Sequence, residues 1–140
     1  MSHFLLEIIT PTKIAFSEQV DLVTAPSVDG QIGILPHHIP LLARLTEGEV
    51  KITKDNNDFY LAIGSGFIEV TKDKVILLVT SAYRADEINE KEVKEAIERA
   101  KRAFEEKRGE TEMKEAQEIF RRSTIALNIL RKRRRSPQIS

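Results

Sequence analysis

The sequence predicts an α+β protein: an N-terminal antiparallel β-sandwich or flattened barrel, followed by a C-terminal antiparallel α-helical hairpin. Three observations predict it. Up to about Ala82, apolar and β-branched residues alternate with polar ones in short runs, whereas from Ile88 onward they recur every three or four residues. Clusters of Asn, Asp and Gly punctuate the first part at close intervals. A single glycine, Gly109, interrupts the helical second part. The predicted divisions are residues 1–85 for the sandwich, 86–135 for the hairpin and 136–140 for a short tail.

Taken in order, strands are predicted over Phe4 to Ile9, Val20 to Ala25, Gly48 to Thr53, Phe59 to Ile63, Phe67 to Thr71 and Val75 to Ser81. Val50 and Ile52 alternate with Lys51 and Thr53, and Phe59, Leu61 and Ile63 with Tyr60 and Ala62, so one face of each strand is made for a core. Lys54-Asp55-Asn56-Asn57, Gly64-Ser65-Gly66 and Thr71-Lys72-Asp73 supply residues that tolerate tight turns. Such close spacing of short strands points to a sandwich or barrel.

Asn89 is placed to cap the first helix, with Glu92 at the third helical position and Ile88 and Val93 spaced as a hydrophobic staple. Val93, Ala96, Ile97, Ala100, Ala103 and Phe104 then form one stripe of mostly small residues. After Gly109 a second helix is expected from about Thr111, with Met113, Ala116, Ile119, Phe120, Ala126, Leu127 and Leu130 facing inward. The short connection makes the two helices antiparallel. Because much of the stripe is alanine, the packing energy of the hairpin is modest, and another surface can compete for it. The end of the chain, Arg131 to Ser140, is expected to fray.

Lysine plus arginine equals aspartate plus glutamate, at 22 each. The balance conceals a split: residues 1–85 carry seven basic and ten acidic side chains, residues 86–140 fifteen and twelve. Ile119 to Arg135 has no acidic residue at all, which predicts an anionic partner for that end. There is no cysteine, hence no disulfide and no thiolate metal site. No apolar run approaches the roughly 18 residues of a membrane span, and the start has no basic region followed by a long apolar one. An intracellular, soluble chain is expected.

The most unusual run is GQIGILPHHIPLL, residues 30–42, with His37 and His38 between two prolines. Neighbouring residues of a strand point to opposite faces, so the pair is poorly suited to one metal ion, and no HExxH spacing adds a third ligand. Ser65, in Gly64-Ser65-Gly66, fits neither a nucleophile elbow nor a phosphate-binding loop. No catalytic residue, metal ligand or cofactor is predicted. A nucleic-acid-binding module using Arg131-Lys132-Arg133-Arg134-Arg135 is the alternative class, and a histidine metalloenzyme a third.

Three stretches carry a resemblance: APSVDGQIGILPHHIPLL at 25–42, GSGFIEV at 64–70 and RADEINEKEVKEAIERA at 84–100. From Phe4 to about Leu130 the chain closely resembles the epsilon subunit of bacterial F-type ATP synthases, called delta in mitochondria. The family's first motif reads G-x-x-G-x-x-P-x-H-x-P-L-L, and Gly30, Gly33, Pro36, His38, Pro40, Leu41 and Leu42 fill it in register, His37 standing at a variable position. The resemblance implies a non-catalytic subunit of the rotating central stalk, monomeric when isolated. It would lie on the cytoplasmic side of the bacterial plasma membrane and be tied to that membrane only through the complex. The implied partners are the gamma subunit, the c-ring and the alpha and beta subunits. By position, Val28, Asp29, Gly30, Gln31, Ile32 and Gly33 are candidates to touch the c-ring, and Pro36, His38, Pro40, Leu41 and Leu42 to lie near gamma, although Ile34, Leu35, Leu41 and Leu42 also suit a core. Arg121, Arg122, Arg131, Lys132, Arg133 and Arg134 are candidates to meet acidic surfaces of alpha and beta when the hairpin extends to block ATP hydrolysis.

Some members of the family also bind ATP through a motif close to I-D-x-x-R-A, preceded by a glutamate and completed by arginines of both helices. This chain keeps Ile88, Arg99 and Arg122, but has Asn89 for the acid, Glu92 for the arginine, Val93 for the alanine and Tyr83 near the preceding glutamate. A carboxylate in place of a guanidinium repels a polyphosphate, so no ATP binding is expected.

Overall fold

The computed structural model describes residues 2–106 and 109–135. The strands are β1 (Phe4–Ile9), β2 (Ile14–Val20), β3 (Leu22–Ser27), β4 (Gly30–Ile34), β5 (Leu41–Leu45), β6 (Gly48–Lys54), β7 (Asn57–Ile63), β8 (Gly66–Val70), β9 (Lys74–Val79) and β10 (Ala82–Arg84). A 3₁₀ turn at Ala85–Glu87 leads into α1 (Glu90–Glu105) and α2 (Glu110–Arg135). The strands follow the order β10-β7-β6-β3-β5-β8-β9-β1-β2, with β4 paired to β3 alone. The sheet bends round until its ends nearly meet. There the Arg84 guanidinium donates to the Ala15 carbonyl at 3.3 Å and lies 5.8 Å from the centre of the Phe16 ring.

Inward positions alternate as the sequence requires. Phe4, Leu6 and Ile8 of β1, Val50 and Ile52 of β6, Leu61 and Ile63 of β7, and Val75, Leu77 and Val79 of β9 join one buried core. At roughly 25 cal/mol per Å² of apolar surface, this continuous cluster is the main stabilising term. Every residue of it lies between Phe4 and Ala82, so the sandwich does not depend on the helices for its interior.

Four strands differ from the sequence expectation. Along β2 only Phe16 and Val20 are buried, too sparse an alternation to be legible. β4 contains two glycines, and β5 follows a pair of prolines, so both resemble loop. β10 is three residues long. The sheet also contains one parallel pair, β1 with β9, among otherwise antiparallel neighbours. Such a pairing joins the two ends of a long excursion of chain and leaves no local signal.

The first helix begins as predicted: the Asn89 Oδ1 accepts from the backbone N–H of Lys91 at 3.0 Å and of Glu92 at 3.2 Å. Ala100, Ala103 and Ala116 are buried where α1 meets α2, and the Phe104 and Phe120 rings meet edge to face at 6.1 Å. Two expectations for α2 are corrected. Ile119 faces outward at 43% exposed, while Ser123 and Ile129, absent from the predicted stripe, are buried. The helix also continues through Arg135 instead of fraying at Arg131. Arg and Lys are good helix formers, and positive charge in a last turn suits the negative end of the helix dipole. Residues 136–140 lie outside the described residues. Among the described residues no helix is long and apolar enough to cross a membrane.

Candidate functional site

Three surfaces collect the residues singled out by sequence. The first is the β3–β4 hairpin. Val28 and Asp29 form its turn, and Gly30 takes a φ of 122°, a value that favours glycine. Ser27, which the sequence did not suggest, pins the turn: its hydroxyl donates to the Gly30 carbonyl at 2.5 Å and accepts from the Asp29 N–H at 3.2 Å. Val28, Asp29, Gly30, Gln31 and Gly33 are exposed, whereas Ile32 packs against the core. Val28 and Asp29 are thus the short tip of a hydrogen-bonded strand pair, and Gly30 to Gly33 lie on β4 itself.

The second surface begins at the histidines. They lie not on a strand but on the turn between β4 and β5, where His37 has a φ of 67°. The His38 N–H donates to the Leu35 carbonyl at 3.2 Å, and its Nδ1 donates to the Ile39 carbonyl at 2.6 Å. His37 is exposed and His38 half-buried. Among the described residues no group of three or more His, Asp or Glu side chains is placed to hold a metal ion. Pro36 is half-buried, Pro40 exposed, and Leu41 packs against the core, so of the leucine pair only Leu42, 70% exposed, is presented outward. Ile34 is buried, but Leu35 is 60% exposed and anchors nothing.

Leu42 belongs to a larger outward face that the sequence did not reveal. Phe67 stands opposite Leu78, Leu78 opposite Ile9, and Ile9 opposite Ile14, so four apolar side chains form a row across β8, β9, β1 and β2. Phe67, Leu78 and Ile14 are 49%, 50% and 62% exposed. The next row carries Leu42, Glu69, Ile76 and Glu7, the last paired with Lys74 at 2.7 Å. In each strand the signal was present as an apolar residue on the outward beat, but only the register joins them.

The third surface lies between the hairpin and the sandwich, where α2 packs on β6, β7 and the 3₁₀ turn. Glu47 accepts from Arg121 Nε at 2.7 Å and from Arg122 Nε at 3.0 Å. The hydrogen bond to Glu47, and then its charge, raise the pKa of Arg121 above its ordinary value. Lys132 donates to both oxygens of Glu49 at 2.7 Å, its ammonium 5.4 Å from the centre of the Tyr60 ring. Arg131 is exposed, and the side chains of Arg133 and Arg134 lie outside the described residues. Glu47, between β5 and β6, is thus the partner of two guanidiniums.

Beside these pairs, a cleft of about 420 Å³ is lined by Tyr83, Ile88, Asn89, Glu92, Val93, Arg99 and Arg122, together with Glu47 and Glu87. Ile88, Arg99 and Arg122 thus do converge. Three carboxylates share the cleft with the two guanidiniums, and Arg122 is already bonded to one of them.

A sandwich closed round one core, bearing an outward apolar face and a docked helical hairpin, defines a protein built to contact others. Residues 3–85 match the family described as "ATP synthase, Delta/Epsilon chain, beta-sandwich domain". The chain is 40% identical to the ATP synthase epsilon chain of Herpetosiphon aurantiacus, over 92% of this chain and 95% of that one. It is 37% identical to the epsilon chain of Dehalococcoides mccartyi, over 99% and 100%. The chain belongs to the ATP synthase epsilon chain family. Its fold is also found in the mitochondrial ATP synthase of Euglena gracilis, solved with OSCP, F1 and c-ring (TM-score 0.69, 21% identity, 94% of this chain and 79% of that one). A weaker likeness is to the central stalk and c-ring of the Tetrahymena thermophila enzyme (TM-score 0.53, 18% identity, 61% and 69%). The alternative of a nucleic-acid-binding module finds no support in these relatives.

Proposed function

We propose that this chain is a non-catalytic central-stalk subunit of an F-type ATP synthase, binding the gamma subunit and the c-ring through its sandwich and restraining ATP hydrolysis through its helices. The observation that carries the reading is the apolar row Phe67–Leu78–Ile9–Ile14 on strands other than β6 and β7, over which the hairpin lies. Exposed, contiguous apolar surface rimmed by charge marks a protein contact, and gamma is its proposed partner. The exposed tip at Val28 to Gln31, its turn held by the Ser27 hydroxyl, suits the short loops of the c-ring. The cations of α2 suit acidic surfaces of alpha and beta. The complex would hold the chain at the cytoplasmic side of the bacterial plasma membrane.

Two variants in the assembled enzyme test this. Replacing Phe67 and Leu78 together by serine weakens recovery of gamma at least tenfold while the isolated chain stays folded; equal recovery rules out this face. Ending the chain after Asp86 preserves assembly and raises ATP hydrolysis; an unchanged rate removes the helices from any inhibitory role.

A further inference from the structure

The cations that the proposed function turns toward alpha and beta are not free in the folded chain. Arg121 and Lys132 are eleven residues apart, close to three helical turns, so they share one side of α2. Arg122, adjoining that side, bonds the same carboxylate as Arg121. Ile119 to Arg135 contains no acid, so the neutralising carboxylates must come from outside that segment. Glu118 supplies one from the preceding residue, at 3.6 Å from Arg122. The others come from the sandwich. Glu47 has a side chain only 17% exposed, with each oxygen committed to a different arginine. Glu49, at 22%, holds Lys132. The two arginine side chains remain 59% and 64% exposed, open to solvent and to competing anions.

From this arrangement we infer that Glu47 and Glu49 form an ionic latch. They stand in for an acidic partner segment, and the hairpin cannot engage such a segment until they release Arg121, Arg122 and Lys132. The inference rests on the proposed function for the identity of the partner, but the latch is a property of the isolated chain. Because the cations are exposed, salt screens the attraction and loosens the latch. An acidic polypeptide does the same by competition. The sandwich thereby sets how readily the hairpin leaves, without any bound ligand.

Amide hydrogen exchange of α2 in the full chain reads the opening directly. With both Glu47→Gln and Glu49→Gln, exchange at residues 123–130 is expected to rise on the order of tenfold at low ionic strength, as three largely exposed ion pairs allow. The wild type is expected to approach the same rate at about 0.5 M salt or with added poly-glutamate, while the variant responds to neither. Glu7→Gln is the control: it removes the Lys74 pair, equally short and with the same 17% exposure of its glutamate, but within the sandwich. It should leave α2 unchanged. Equal exchange in wild type and double variant, with β-strand amides protected in both, overturns the latch. A responsive latch in a chain whose truncation leaves ATP hydrolysis unchanged would instead remove the inhibitory reading and leave the latch standing.

Discussion

Replacing Ile129 by alanine separates the docking of the hairpin from the stability of the sandwich. Ile129 is completely buried and belongs to neither the sandwich core nor the alanine cluster between the helices, on an α2 that packs on β6, β7 and the 3₁₀ turn as well as on α1. The substitution deletes three carbons, about 2.4 kcal/mol at ~0.8 kcal/mol each, and the residual cavity brings the cost to about 3 kcal/mol. The ion pairs of Arg121, Arg122 and Lys132, each about 0.5 kcal/mol, together contribute about half as much. The apolar anchor therefore outweighs the latch. About 3 kcal/mol raises the open fraction on the order of a hundredfold, since each 1.4 kcal/mol is a factor of ten. Limited trypsin digestion reads it, because the backbone at Arg121, Arg122, Arg131 and Lys132 is helical while α2 is docked and must open locally to be cut. Cleavage there should accelerate on the order of a hundredfold, while the unfolding midpoint of the sandwich is unmoved, its core containing no helical residue. Ile119→Ala, at a position 43% exposed, should change little. A cleavage rate within threefold of wild type, or a sandwich that unfolds earlier with α2 still protected, would refute the reasoning.

The glycines of the sequence motifs divide sharply. A Cβ at Gly66 would stand 1.9 Å from the Leu78 carbonyl oxygen and 2.8 Å from the Val79 Cα, both backbone of the paired strand, so Gly66→Ala should cost about 3 kcal/mol or more in urea unfolding. At Gly33 the nearest atom is Leu22 Cδ1 at 3.9 Å, and Gly33→Ala should be stabilising by up to about 1 kcal/mol in the same assay. Titration calorimetry with magnesium ATP at millimolar concentration is expected to give no saturable heat, given the carboxylates of Glu47, Glu87 and Glu92 in the cleft; a saturable signal lost in Arg99→Ala would contradict that expectation.

The bipartite architecture, six of the strands, the inward positions of β6 and β7 and the Asn89 cap were legible because each depends on neighbours within a few residues. Periodicity and capping are short-range: alternation identifies a strand face, and a capping side chain reaches backbone two or three residues on. The same rule explains the misses. β2 buries too few residues to show its alternation, the two glycines of β4 disguise its own, and the outward turn of Ile119 depends on α2 dividing its burial between α1 and the sandwich.

Sequence alone therefore determined that a strand-rich half and a helical half exist, and that the second carries an acid-free cationic run. Only the tertiary structure decided what those parts meet. Ile9 and Leu78 are neighbours because β1 pairs in parallel with β9, and Arg121 meets Glu47 across 74 residues because α2 packs beside β6 and β7. Such contacts follow from sheet closure and helix docking, which minimise the exposed apolar surface of the whole chain and leave no mark in any short window of it.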